Sequence, residues 1–486
     1  MRRASLLVAL TFVSAAPIAA QQVLFQGFGS QPNGGTGSKL AGGGDLDGDG
    51  VGDLLVASPT ASGGRVHAVS GANGTVRTLS HPTNDAVFAI VPDANLDGRA
   101  DILLSLNGQL RLYSGATLTL LWQSVNQYQP ACGIDDRNGD GRADIAAITS
   151  NSPYELRVLS GSNGTILAQY PYGTSSGELT SIGDVTGDGI PELAHANSSV
   201  SVLRLSPSPV LLASFAPGIR VGAANFTGDA RNEVVSSDNN GVRILSATTG
   251  ATVRSFANVT SSEFAILGDV NADGVPDLAL LRMYLPYTTG YTVEIVSGAN
   301  GSVLARKPPS AQSLQLHITA LGDVNNDGFG DFAVGDPNGD LAGNNTSPTG
   351  SWQIVSGKVL AFREEKPVNC AFGPFLPELG MTLPRLGTNV VVAGQDAPPG
   401  AVGLVAFSLQ PPVGINLGIT GCDAWFDLAS GSLLQTTTTA AWQFAFPMPA
   451  APQLAGVGIA LQAVYAPSLH PLGFDLSNGL WGRIGW

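Results

Sequence analysis

One acidic phrase of nine residues recurs seven times between Gly44 and Asp331, and a chain built on such a repeat folds as a series of like units. The copies start at Asp45, Asp93, Asp136, Asp184, Asn225, Asp269 and Asp323, at intervals of 48, 43, 48, 41, 44 and 54 residues. Periods of this length belong to propellers and solenoids. The clearest copy reads Asp45-Leu46-Asp47-Gly48-Asp49-Gly50-Val51-Gly52-Asp53, with oxygen-bearing side chains at its first, third, fifth and ninth positions.

Each phrase has the makings of a calcium loop. A hard divalent cation takes six to eight oxygens at roughly 2.3–2.6 Å, and carboxylates at alternate positions of a tight turn converge on one point. The glycines at the sixth position, Gly50, Gly98, Gly141, Gly189, Gly274 and Gly328, permit the required bend. The ninth residue is Asp or Glu in every copy and suits a closing, bidentate ligand. Asp, Asn and Gly are also ordinary turn residues. That alternative accounts for one copy but not for seven with one internal spacing.

The expected ligands are Asp45, Asp47, Asp49 and Asp53 in the first loop and Asp93, Asn95, Asp97 and Asp101 in the second. They are Asp136, Asn138, Asp140 and Asp144 in the third, and Asp184, Thr186, Asp188 and Glu192 in the fourth. The sixth offers Asp269, Asn271, Asp273 and Asp277, the seventh Asp323, Asn325, Asp327 and Asp331. The fifth copy, Asn225, Thr227, Asp229 and Glu233, has Ala230 in place of the glycine and is expected to bind weakly or not at all. The first, third, sixth and seventh fit the pattern best. Calcium, about four to six ions, is the expected cofactor.

These ligand positions hold 21 of the chain's 37 acidic residues, so the net charge of −14 is local to the loops. The 23 basic residues are scattered, which speaks against nucleic acid as a partner because phosphate binding needs clustered Lys and Arg. Met1-Arg2-Arg3, the apolar run Leu6–Val13 and small residues up to Ala20 read as a secretory signal peptide, residues 1–20, cleaved before Gln21. No later segment is long and apolar enough to span a membrane as a helix. The expected location is secreted or cell-surface, in an extracellular or periplasmic space rich in calcium.

Between the loops the chain reads as strand and turn. A run such as Asp53-Leu54-Leu55-Val56 follows each loop, and then an alternating segment ends in Ser-Gly, as at Gly71, Gly115, Gly161, Gly298 and Gly357. Asn-Gly pairs at Asn73, Asn163 and Asn300 signal hairpins. With one strand before the loop and one after the turn, each repeat supplies four strands. Seven radially repeated four-stranded sheets make a seven-bladed β-propeller. Four residues before each loop stands Ala41, Ala89, Cys132, Thr180, Val221, Ala265 or Thr319, slender enough for strands crowding a central axis. Val23-Leu24-Phe25-Gln26 matches a last strand and is placed to close the ring on the seventh blade.

Over roughly residues 23–363 this pattern resembles the FG-GAP/VCBS-type repeats of integrin α-subunit propellers and many secreted bacterial proteins. Phe28-Gly29 and Val334-Gly335-Asp336-Pro337 echo the words that name the family, and most other repeats have lost them. The resemblance implies calcium on loop positions one, three, five and nine. The loss of the name words weakens any inference to integrin-like ligand binding.

The propeller is expected over residues 21–363, a charged linker over 364–369, and a small C-terminal β-sandwich-like domain over 370–486, so that the chain is all-β. Only seven Asp, Glu, Arg or Lys residues lie beyond Ala371, whereas four of the six tryptophans, Trp425, Trp442, Trp481 and Trp486, do. Core packing is the expected role of these rings, ahead of sugar stacking. Cys370 and Cys422 are candidates for a disulfide, and Cys132 for a buried small apolar residue.

No catalytic constellation stands out. Gly173-Thr174-Ser175-Ser176-Gly177 matches a hydrolase elbow, but no helix is expected after it. The five histidines lack metal-ligand spacing, and Glu178, Glu263 and Glu294 form no pattern. The expected function is a secreted, non-catalytic, calcium-binding module that binds an unidentified extracellular protein or polysaccharide. The alternatives are a polysaccharide hydrolase or lyase on a propeller scaffold, and a structural surface protein whose C-terminal domain sorts or anchors it.

Overall fold

The computed structural model describes residues 22–486 except for short stretches, the longest being 284–290, 308–314, 340–347 and 366–376. The expected signal peptide, Cys370 and Cys422 lie outside the described residues. The described chain is all-β, with antiparallel sheets throughout, and none of its helices is long and apolar enough to cross a membrane. It divides into two compact units, Gln21–Val359 and Leu360–Trp486.

In the first unit four of the seven acidic repeats each build a complete four-stranded sheet. Leu40–Gly42, Leu54–Thr60, Gly63–Val69 and Val76–His81 are hydrogen-bonded in that order, and the fourth, fifth and sixth repeats follow the same plan. The loop always joins the first strand to the second. The first strands touch one another in a closed circuit, from Leu40–Gly42 round to His317–Gly322 and back, so the sheets radiate from a central axis as a propeller.

Two features depart from simple repetition. The fourth strand of the second sheet and the first of the third are one continuous strand, Leu120–Ile134, which pairs with Gln109–Tyr113 at one end and Asp144–Thr149 at the other. The segment Leu120–Ala131 carries no glycine, the residue that turns a chain most readily. The seventh sheet takes its outermost strand from the start of the chain: Val23–Phe28 pairs antiparallel with Ser351–Val355, Phe28 facing Ser351. Ring closure by these residues was legible in the sequence.

The core lies between sheets. Leu55, Val66 and Ala68 of the first sheet pack with Ile102, Leu104 and Leu106 of the second. Val56, Trp352 and Ile354 join the first to the seventh. Second strands such as Asp144–Thr149 are buried along their whole length, while outer strands such as Val76–His81 alternate between exposed and half-buried. Burial of that kind contributes about 1.5–3 kcal/mol per large apolar side chain, and here it accrues at every sheet-to-sheet boundary.

The Asn-Gly turns differ from the expected two-residue hairpin. The Ser70 N–H donates to the Thr75 carbonyl and the Gly74 N–H to the Ser70 carbonyl, at 2.9 and 2.8 Å, so four residues separate the paired ends. Asn73 caps the turn by accepting from the Thr75 N–H, and Gly74 takes a φ of 72°.

In the second unit, a sheet containing Phe362–Glu365, Leu480–Arg483, Gly458–Ala466, Val402–Ser408 and Ser432–Thr437 shares one core with a three-stranded sheet of Glu378–Met381, Asn389–Gln395 and Trp442–Pro447. Val390 and Val392 from one sheet meet Val405, Leu461 and Tyr465 from the other, the two-layer arrangement of a sandwich. The unit starts earlier than the expected 370. Phe362–Glu365, read as the end of the propeller and the start of a linker, pairs as an edge strand with Leu480–Arg483. Trp442 packs against this core and donates to the Tyr465 hydroxyl at 3.1 Å, and Trp481 is buried.

Ring closure leaves little room at Gly27, where a Cβ would stand 2.6 Å from the Trp352 indole. Gly27→Val is expected to cost about 1–3 kcal/mol of stability by overpacking, read as a lower urea midpoint with an unchanged slope.

Candidate metal-binding loops and their tie to the sheets

The seven loops share one hydrogen-bond scheme. The first-position carboxylate turns back over the loop and accepts the sixth-position N–H, at 2.8 Å from Gly50 to Asp45 and 2.7 Å from Gly98 to Asp93. The third, fourth, sixth and seventh loops repeat this bond at 2.7 Å. The fifth-position carboxylate accepts from the seventh N–H in all seven copies. The other oxygen of the first-position carboxylate accepts a further loop N–H, as from Gly48 to Asp45 and Gly139 to Asp136. In the first loop, oxygens of Asp45, Asp47 and Asp49 lie within 4.8 Å of one another, as do those of Asp184, Asp188 and Glu192 in the fourth.

The backbone that produces this convergence is left-handed at two places. The six sixth-position glycines have φ between 80 and 88°. The fourth position is left-handed as well, which the sequence reading missed. Glycine fills it in four copies, but Leu96, Ala272 and Asn326 hold φ of 64, 60 and 56° despite their Cβ atoms. The loop scheme outweighs local preference there.

The second position anchors the loop. Leu46, Ala94, Val185, Phe226, Val270 and Val324 are all buried and reach the apolar layers between sheets. Arg137 takes this place in the third loop and instead donates to the Pro191 carbonyl of the next repeat at 2.9 Å.

The ninth residue is buried in every copy, at most 5 % exposed. One of its oxygens accepts the second-position N–H at 2.7–3.0 Å in all seven. In five copies the other accepts the N–H of the Ser-Gly glycine that ends the third strand: Gly71 to Asp53, Gly115 to Asp101, Gly161 to Asp144, Gly298 to Asp277 and Gly357 to Asp331. Glycine is compulsory at that spot, because a Cβ would come within 1.8–2.0 Å of the eighth-position carbonyl. The two most regular words of the sequence are thus the two halves of one contact.

Where the Ser-Gly word is lost, the loop changes with it. The fifth repeat has Ala247 there, and its ninth residue is the longer Glu233, whose second oxygen accepts from the Thr227 hydroxyl at 3.1 Å. The fourth pairs Thr186 with Glu192 in the same way, at 3.3 Å. Thr at position three and Glu at position nine, read from sequence as departures from the pattern, are a second solution to the same contact.

Side-chain chemistry fits a hard cation. The converging donors are carboxylate, amide and hydroxyl oxygens, without Cys or His. Amide hydrogens of Asn95, Asn138 and Asn271 donate to the fifth-position carboxylates at 2.9–3.1 Å, supplying weakly the positive charge that an ion would supply strongly. Burial, with the neighbouring loop carboxylates, pushes Asp53, Asp101 and Asp331 up to about 6 and Asp277 up to about 7. Backbone N–H donors, Gly141 and Gly189 first among them, hold Asp136 and Asp184 below their ordinary range.

Cys132 is buried on the axial side of its sheet, and burial pushes its thiol up to about 12, as befits a small apolar residue. The strand Glu178–Gly183, not a helix, follows Gly177, so the hydrolase-like phrase lacks its elbow. His67 and His195 sit in strands and bond to Thr78 and Tyr172.

Two outcomes are expected. A carboxyl raised by folding holds its proton more tightly in the native state, so without divalent metal the four raised aspartates favour folding below about pH 6–7 and lose that advantage as pH rises through it. His67, lowered by burial, opposes them over the same window but is one group against four. The melting temperature in chelator should therefore rise from pH 7.5 to pH 5.5, followed by circular dichroism. Gly298→Ala, which sets a Cβ 1.8 Å from the Pro276 carbonyl, should cost about 1–3 kcal/mol in urea unfolding, whereas Ala247→Gly should cost far less.

The family model for the FG-GAP repeat matches residues 36–76, which is the first sheet with its loop. No curated protein matches the chain. Among solved structures, BBS1N in complex with ARL6DN is similar at a TM-score of 0.48 and 10 % identity, over 70 % of this chain and 97 % of that one. The Vibrio cholerae biofilm matrix protein Bap1 is similar at 0.36 and 15 %, over 82 and 67 %. BamB from Moraxella catarrhalis is similar at 0.39 and 12 %, over 65 and 84 %. Likeness at these scores carries no argument; the FG-GAP match covers the first repeat, and the radial arrangement of the sheets makes the first unit a β-propeller.

Proposed function

We propose that the chain is an exported, non-catalytic binding module whose propeller is stabilised by calcium in the acidic loops, and which recognises an extracellular protein or glycan. The observation that carries this reading is the recurring tie between loop and sheet. Each loop concentrates oxygen-bearing side chains at the join of the first two strands, and five of the seven fix the buried ninth residue to the end of the third. An ion held there would remove the repulsion among the carboxylates and brace three strands at once. Ions that bind only the folded ring add stability by mass action, about 2.7 kcal/mol per site at a hundred times its dissociation constant. Export agrees with this, because extracellular calcium is plentiful.

The first, third, sixth and seventh loops, with the second and fourth, are the proposed sites. The fifth lacks a first-position carboxylate and is proposed to stay empty. The exported form is expected to begin at Gln21, by intact mass. Its melting temperature should be markedly higher in millimolar calcium than in EGTA, with about four to six ions per chain by atomic emission. Asp273→Ala should lose about one ion and Asp229→Ala none. An unchanged melt with no bound metal would make the loops turns only and end the calcium reading.

A further inference from the structure

Around the axis, at the end of the ring opposite the acidic loops, the repetition of the inner strands breaks down. Four residues before each loop the chain keeps a slender residue, yet one or two residues earlier it places Lys39, Glu178, Arg220, Glu263 and His317 in five different repeats. These side chains line a cavity of about 630 Å³ together with Phe88 of the second repeat. Arg220 stands between the carboxylates of Glu178, 3.8 Å away, and Glu263, with which it is directly paired. The Nδ1 of His317 lies 3.4 Å from Glu263, and Glu178 also accepts the Val221 N–H at 3.1 Å. The chain of contacts crosses the fourth to the seventh repeat.

Stability does not account for this cluster. The side chains of Arg220 and Glu178 are 41 and 35 % exposed to the water of the cavity, and ion pairs so solvated contribute little. Apolar residues at the same places would hold the strands together at lower cost. The two carboxylates, Glu178 and Glu263, share the cavity wall with two fixed cations, Arg220 and Lys39, so neither sign of fixed charge is in excess there. What it offers is donors and acceptors side by side in several directions, with two aromatic residues, Phe88 and Phe264, in the wall.

We infer that the axial cavity binds the uncharged end of a glycan, one or two sugar units deep, whose hydroxyls both donate and accept. The size agrees with ligand pockets of about 300–1,000 Å³. The two carboxyls are set up differently for the task. Burial raises Glu178 despite Arg220. Burial pushes Glu263 the same way, but His317 and Arg220 hold it below its ordinary range. Glu263 is an acceptor held in place by Arg220 and His317, and Glu178 is held by the Val221 N–H. The inference rests on the binding-module reading and names its site.

The test is saturation-transfer NMR on residues 21–486 in calcium, with the methyl glycosides of glucose, galactose, mannose and glucuronic acid as probes. At least one neutral glycoside should bind with a dissociation constant of about 1 mM or tighter and exceed the glucuronide. Glu178→Gln should weaken it about tenfold, and Thr180→Trp, which fills the cavity, should abolish it, while both variants keep the calcium-dependent melt. No saturable neutral glycoside, a preference for the glucuronide, or binding unmoved by Thr180→Trp would overturn the axial site. A chain that melts with calcium as proposed yet binds no glycoside loses this site and keeps the calcium reading.

Discussion

A buried carboxylate held by two backbone N–H groups is the contact on which the propeller depends. It is made at the ninth loop position, and it joins three things that sequence presents separately: the acidic loop, the strand after it and the Ser-Gly word some twenty residues on. Two charge-assisted bonds offset part of the cost of burying the charge. The remainder of that cost appears as the upward displacement of Asp53, Asp101, Asp277 and Asp331. The ring thus carries strain of an electrostatic kind in these four loops.

The same contact explains which residues could vary. Glycine at the end of the third strand is enforced by the carbonyl beside it, so its loss in the fifth repeat is accompanied by a longer acid and a hydroxyl partner at the third position. The exposed parts of the loop drifted more freely. Leu96, Ala272 and Asn326 sit in left-handed backbone that a glycine would adopt more easily, because the hydrogen bonds around them set the turn.

Sequence carried much of this fold because repetition multiplies a weak signal. One Asp-rich turn predicts nothing, but the spacing from Asp45 to Asp53, repeated with strand-like runs after it, located the loops, the sheets and the closing strand Val23–Phe28. It did not locate the fused strand Leu120–Ile134, which is marked only by a missing turn signal, or the edge strand Phe362–Glu365, whose charges read as a hinge. The axial cluster was invisible for a stronger reason. Glu178 and Glu263 are remote in sequence and unremarkable alone, and only the closing of the ring brings both to Arg220.

Closure by the first strand has a consequence for how the chain is made. Gln26 and Gln353 are hydrogen-bonded across a sequence separation of 327 residues, so the amino-terminal segment has no strand to pair with until the last repeat has been made. Contacts of such separation are slow to form. Until then Ser351–Val355 has no neighbour on one side and the seven sheets form an open arc with apolar flanks, a species prone to pairing with a second arc. A helper that shields the leading segment, or loops that lock each sheet as it emerges, would decide the yield of closed rings more than the stability of the finished one.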